Sequence, residues 1–176
     1  MGLPADRRRT RQARDHPDRI LACDFFCVDT ILLRRISILF FIEIATRRVY
    51  LAGTTRHPDG AWVAQQARNL AIAGLLEWFL ILIRDRDAKL TSAFDAVFTT
   101  EGSRVILTPI RTPVANASAE RFVRTIRKEC LDWTLVLNER HLAGIVGAYW
   151  STTTWSVLIA GSGSGRRTRR HDLRPA

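Results

Sequence analysis

Carboxylates set into apolar segments are the residues of this chain with most capacity for chemistry. From Leu80 to Ala88 the sequence reads L-I-L-I-R-D-R-D-A, an apolar run that breaks into Asp85 and Asp87, flanked by Arg84 and Arg86. A run this short, with Ile81 and Ile83 in it, reads as a strand buried on both faces. A carboxylate at the tip of such a strand is held by a rigid scaffold yet open to a ligand, which is where α/β proteins place their chemistry. The plain alternative is that both aspartates start a turn and cap the next helix. Asp24 is a second candidate, alone among the apolar residues of Ile20 to Val28. An unpaired charge there would cost several kcal/mol, so Asp24 has either a local backbone partner or a task. Glu120 follows Asp85 after 34 intervening residues, near the start of a late helix. Three carboxylates converging from separate elements would form an all-oxygen donor set suited to a hard divalent cation such as Mg²⁺. His57, His141, Cys23 and Cys130 show no competing ligand spacing.

The elements that must hold these residues follow from periodicity. Ile20 to Val28, with Phe25, Phe26 and Val28, is a central strand rather than an amphipathic edge. Asp29-Thr30 makes a turn. Ile36 to Ala45 and Arg48 to Gly53 form a hairpin across T-R-R. The turn H-P-D-G leads into a helix from Ala61 to about Ala73, stopped by Gly74. Leu75 to Arg84 carries the fourth strand, Thr91 to Thr100 a short helix, and Arg104 to Leu107 a fifth strand. Thr108 to Ala117, with two prolines, is an extended loop. Ser118 opens a helix to about Thr134, with Val123, Ile126, Cys130 and Trp133 on its core stripe. Glu120, Arg124 and Arg127, at i, i+4 and i+7, share another face. A last helix runs from Glu139 to about Tyr149. The order predicts a mixed sheet covered by helices.

The chain has 176 residues, 47% of them apolar, enough for one domain with a real core. Of the net charge of +10, residues 1–19 carry +3 from six Arg and three Asp, and residues 161–176 carry +4 from five Arg and one Asp. Both ends read as basic and disordered, attractive to polyanions without selecting one. The three cysteines, Cys23, Cys27 and Cys130, form neither a disulfide framework nor a zinc pattern, and read as buried reduced thiols in a cytoplasmic protein. The most apolar stretch, Ile31 to Ala45, contains Arg34, Arg35 and Glu43, which argues against a bilayer span. No secretory pattern opens the chain.

Three blocks carry a family likeness: I-L-A-C-D-F-F-C-V-D-T around Asp24, L-I-R-D-R-D-A-K around Asp85, and T-P-I-R-T-P-V-A-N-A-S-A-E-R-F-V-R-T-I-R-K-E-C around Glu120. In order and at this spacing they resemble the retroviral-integrase-like catalytic core of bacterial insertion-sequence transposases, over about residues 20–149. The resemblance implies an α/β, RNase-H-like fold, a mixed five-stranded sheet flanked by helices. It also implies a metal-binding acidic triad of Asp24, Asp85 and Glu120 with Mg²⁺ (Mn²⁺ substituting), DNA as partner, and a homo-oligomer. Asp85 rather than Asp87 matches the triad position, because Leu90 fills the register of an aromatic that the family carries five residues on. Asp87 is then a local hydrogen-bonding or capping residue. Asn116 matches a loop asparagine, and Arg124 and Arg127 match helix positions that touch DNA; a solvated charged face is the alternative for those two.

The likeness has limits. The family carries an N-terminal helix-turn-helix region, for which residues 1–19 offer no room, and Ile72 to Phe79 reads as compressed. After Tyr149 a His/Tyr/Asn/Arg/Pro-rich continuation is implied, whereas the chain reads W-S-T-T-T-W-S-V-L-I-A-G-S-G-S-G. Back-translated from Trp150 and read one base earlier, this stretch can encode Val-Asp-His-Tyr-Met-Val-Arg-Pro-His-Arg, which fits. Residues 150–176 are therefore expected to be an aberrant basic tail of a frameshifted or truncated copy. The function expected is transposase or integrase chemistry, Mg²⁺-dependent cleavage and strand transfer. The alternatives are a catalytically silent fragment that binds DNA or pairs with intact subunits, and an RNase-H-like nuclease.

Overall fold

A computed structural model describes residues 19–108 and 117–152, with side chains as far as Tyr149. The leader, Asn116 and the tail beyond Thr152 lie outside the described residues, as do the expectations about them. Three strands form an antiparallel meander: β1 (Ile20–Asp29), β2 (Arg35–Glu43) and β3 (Val49–Thr55). Helix α1 (Gly60–Ile72) returns the chain to β4 (Ile81–Arg84), which lies parallel to β1. Helix α2 (Ser92–Thr100) then leads to β5 (Arg104–Leu107), parallel to β4. The sheet order is β3-β2-β1-β4-β5, followed in the chain by α3 (Ala117–Glu129) and α4 (Glu139–Thr152). This is the expected mixed five-stranded sheet flanked by helices.

Side-chain alternation sorts the core into two layers. On one face Ala22, Phe26 and Val28 of β1 and Ile36, Ile38, Phe40 and Ile42 of β2 meet Phe122 and Ile126 of α3 and Leu142 and Val146 of α4. On the other, Leu21, Cys23, Leu39, Phe41 and Leu82 meet Val63 and Leu70 of α1 and Phe94 and Phe98 of α2. The strands that read as apolar on both sides are so because helices cover both sides. Local signals set the helix ends. Asp59 caps α1, its carboxylate accepting the Trp62 amide at 2.7 Å, and Gly74 follows at φ 72°, where a Cβ would be strained. Among the described residues no helix is long and apolar enough to cross a membrane.

Three expectations need correction. The fourth strand is only Ile81–Arg84, because Leu76–Trp78 winds into a 3₁₀ turn that drops Leu76 into the core. The late helix ends at Glu129 rather than Thr134, and Trp133 is 84% exposed instead of core-facing. Its indole N–H donates to the Lys128 carbonyl at 2.8 Å, which turns the ring back over the helix end and away from the sheet. Of the three free thiols only Cys23 is buried; Cys27 and Cys130 are half-buried.

Phe122 is the anchor of α3. Its ring sits 4.9 Å from that of Phe40 and 6.4 Å from that of Phe26, so β1, β2 and α3 share one aromatic contact. Phe122→Ala should cost about 3–5 kcal/mol. A urea titration reads this directly, and a loss under about 1 kcal/mol would show that α3 is held by something else.

Candidate active site

The β1–β4 ladder pairs Ile20 with Ile81, Leu21 with Leu82 and Ala22 with Ile83. The ladder ends there, and Asp24 and Asp85 each follow its last pair by two residues, Asp24 within β1 and Asp85 just past the end of β4. Strand alternation sets Asp24 on the α3 side of the sheet. Ala22 and Phe26, which bracket Asp24, pack with Ile83 in the layer under α3, while Leu82 faces the opposite layer. Both aspartates are half-buried. Buried Cys23 senses the pair: burial pushes its thiol well above the ordinary range, and the charges of Asp24 and Asp85 push it further.

Glu120 stands on the first turn of α3, the helix that crosses this face, and is exposed beside buried Ala119 and Phe122. The three carboxylates are not gathered into one group. Among the described residues no three His, Cys, Asp or Glu side chains form a group that could hold a metal ion. Arg124 is exposed on the face of Glu120. Arg127 is exposed as well, but one of its guanidinium nitrogens donates to the Cys27 carbonyl at 2.6 Å. Cys27 lies on the part of β1 that outruns the β4 ladder, so Arg127 ties α3 to the strand bearing Asp24.

The strand tip itself is built by residues whose role sequence reasoning missed. The Arg84 side chain, 8% exposed, forms a fork with Asp95 of α2, Nε to Oδ1 at 2.7 Å and an Nη to Oδ2 at 2.6 Å. Its other Nη donates to the Asp85 carbonyl at 2.9 Å. One buried guanidinium thus fixes the backbone that carries the carboxylate. The available signal was an arginine inside an apolar strand, which demands a buried partner. Asp85 Oδ1 accepts the Asp87 amide at 3.0 Å, so the turn half of the plain reading holds. The capping half does not, because Thr91 occupies the N-cap of α2.

Asp87 is a local hydrogen-bonding residue. It accepts the Lys89 amide at 2.9 Å and its ammonium at 2.5 Å, and the ammonium lies 5.0 Å from the Phe25 ring centroid. Partial burial opposes ionisation of Asp87, but the hydrogen bonds and charge of Lys89 outweigh it and hold the carboxyl below its ordinary range. A folded-state pKa below the unfolded one gives stability that is present above the unfolded pKa, about 3.9, and lost as pH falls through the folded value. Wild type should therefore lose stability relative to Asp87→Asn below about pH 4, with a constant difference at higher pH. Parallel acid titrations of the two proteins would refute the pair's contribution.

A three-strand antiparallel meander continued by two parallel strands, with helices on both faces, is the RNase-H-like core of integrases and transposases. Solved structures share it. A chain of the simian T-cell lymphotropic virus intasome in complex with PP2A regulatory subunit B56 gamma superposes at TM-score 0.61 and 16% identity, over 81% of this chain and 50% of that one. The HTLV-2 integrase catalytic core domain in complex with magnesium, in a trimeric form, gives TM-score 0.53 and 13% identity over 81% and 89%. The Mos1 mariner transposase catalytic domain gives 0.61 and 13% over 87% and 85%. This chain spans half the length of the intasome chain it matches. The sequence matches no protein-family model and no curated protein. At these identities the likeness is one of fold.

Proposed function

We propose that this chain is the catalytic core of a DNA transposase or integrase, performing metal-dependent phosphodiester cleavage and strand transfer. The observation that carries the reading is the parallel β1–β4 ladder, which brings Asp24 of β1 and Asp85 just past β4 to the same end of two adjacent strands, near enough for both charges to act on Cys23, under a layer that includes the helix bearing Glu120. The donor set fits Mg²⁺ or Mn²⁺: the side chains are all hard oxygen donors, and the one buried sulfur nearby, Cys23, belongs to the opposite layer and holds its proton. Asp24, Asp85 and Glu120 would hold the metal. A pair of such ions bound there supplies a polarised phosphorus, an activated water or 3′-hydroxyl and a stabilised leaving oxygen.

The rest is work for the chain's own residues. Asp24 is fixed by the central strand, and Asp85 by the Arg84 fork beneath it. Arg127 pins α3 to β1, leaving Arg124, exposed beside Glu120, to contact a DNA phosphate. Asn116, four residues before Glu120 in the sequence, would contact DNA. DNA and further copies of the chain are the partners in this reading; the HTLV-2 integrase catalytic core domain is described in a trimeric form. One observation favours a second reading: among the described residues no three His, Cys, Asp or Glu side chains form a group that could hold a metal ion, which suits a catalytically silent copy that binds DNA or pairs with intact subunits.

The deciding experiment is nicking of labelled element-end DNA with Mg²⁺ or Mn²⁺. Joined products identify strand transfer, cleavage without joining an RNase-H-like nuclease, and binding without cleavage the silent copy.

A further inference from the structure

Of the nine exposed large apolar side chains among the described residues, six lie on two segments, with Ile72, Trp78 and Leu107 elsewhere. Ile31, Leu32 and Leu33 form the β1–β2 turn, and Trp133, Leu135 and Leu137 lie on the segment between α3 and α4; all six are exposed, Leu33 at 88% and Leu135 at 77%. The two segments are neighbours, joined by the Ile31 amide donating to the Val136 carbonyl at 2.9 Å. The turn is rigid rather than frayed. The Thr30 hydroxyl accepts the Arg34 amide at 3.1 Å, and Leu33 is held at φ 56°, a conformation a β-turn leucine adopts only under constraint. A clustered apolar surface of this kind marks an interaction site rather than scattered exposure.

Beside it opens a cavity of about 310 Å³ with apolar walls from Leu32, Ile36 and Leu137, large enough for one or two bulky side chains. Arg34 and Arg56 also line it, both exposed and neither with a carboxylate partner among the described residues. The single acid in the lining, Glu139, accepts the Thr54 hydroxyl at 3.3 Å.

We propose that this surface docks an acidic peptide segment of a partner protein, with apolar anchors in the cavity and carboxylates on Arg34 and Arg56. Charge selects this occupant. A second copy of a chain with net charge +10, packed on the same patch, would set arginines against arginines. The chain's own ends are basic too, +3 over residues 1–19 and +4 over residues 161–176. DNA would satisfy the arginines but gain nothing from the cavity between them, whose apolar walls, Leu32, Ile36 and Leu137, offer no stacking plane. The site is independent of the proposed catalysis: the β1–β2 turn begins at Ile31, seven residues beyond Asp24, about 23 Å along an extended strand.

The test uses the full chain and a fluorescein-labelled amphipathic peptide with leucines at helical spacing and glutamates between them, against a copy with every glutamate changed to lysine. The acidic peptide should bind about tenfold more tightly at low salt, since its carboxylates gain arginine partners where the lysines of the control meet repulsion. The double variant Arg34→Glu/Arg56→Glu should invert the preference, and Leu32→Ser/Leu137→Ser should weaken both peptides. All four positions are at the surface, and matched thermal melts confirm that the variants fold. Equal binding of both peptides, or no inversion in the charge-reversed protein, overturns the proposal. So does self-association lost in Leu32→Ser/Leu137→Ser, which would make the patch a contact between copies. Displacement of the acidic peptide by a peptide of residues 153–176, or loss of DNA affinity as the sole effect of Arg34→Glu/Arg56→Glu, overturns it as well.

Discussion

Asp85→Asn is expected to abolish Mg²⁺-dependent nicking while leaving the fold intact. The loss should be at least about a thousandfold, because a Lewis acid in such a site contributes several kcal/mol and each 1.36 kcal/mol is a factor of ten. Asparagine keeps the oxygen that accepts the Asp87 amide, so the turn at the strand tip survives. What goes is one of two negative charges that follow the last β1–β4 ladder pair, one within β1 and one just past β4. Thermal melts separate a site from a scaffold without reference to activity. Wild type should gain stability as Mg²⁺ rises, by linkage, and Asp85→Asn should show no gain. In EDTA the variant should be as stable as wild type, or more so, since two like charges no longer face each other. Asp24→Asn should behave in the same way. Cleavage that persists in either variant, or a wild-type melting temperature indifferent to Mg²⁺, would remove the aspartate pair from the mechanism.

The second large effect concerns the support under that pair. Asp95→Ala leaves the Arg84 guanidinium, 8% exposed, without its carboxylate. Breaking a buried pair from one side costs about 3–5 kcal/mol; with Asp95 itself 28% exposed, the lower end, about 3 kcal/mol, is expected. For a domain of this size that is a fall of about 6–12 °C in Tm. Arg84→Lys keeps the charge but not the fork, and loses the reach to the Asp85 carbonyl. It should weaken the Mg²⁺ response by about 10–100-fold, as outer-shell substitutions do, with a smaller loss of stability than Asp95→Ala. Arg84→Met/Asp95→Leu separates support from positioning. Apolar replacement of both partners should restore most of the stability while the metal response stays weak. Full recovery of both would reduce the fork to a packing element.

Much of this architecture was legible in the residues because it is decided locally. The unbroken apolar character of β1 and β2 announces strands covered on both faces, H-P-D-G announces the cap of α1, and Gly74 its end. Asp24, Asp85 and Glu120 stood out as carboxylates where apolar side chains were due. The resemblance put Asp85 rather than Asp87 in the triad register, five residues before Leu90, and the bond of Asp87 to Lys89 agrees with the local role expected of it. What stayed hidden depends on contacts between residues distant in sequence. Periodicity set Trp133 on the core stripe, yet the helix stops four residues earlier and the indole turns to a carbonyl behind it. Arg84 read as a flanking charge, because its partner lies eleven residues on, on another element. Neither the apolar patch nor its cavity exists until the β1–β2 turn meets the segment before α4, nearly a hundred residues later. The sequence alone thus determined which residues are acidic, apolar or turn-forming, and hence the elements and the candidates. Tertiary structure alone decided that β1 and β4 run side by side, with Asp24 and Asp85 at the same end of their ladder, and that no three described carboxylates form one group. Strand register and helix docking are set by the packing of both core layers at once, and no local stretch of chain contains that information.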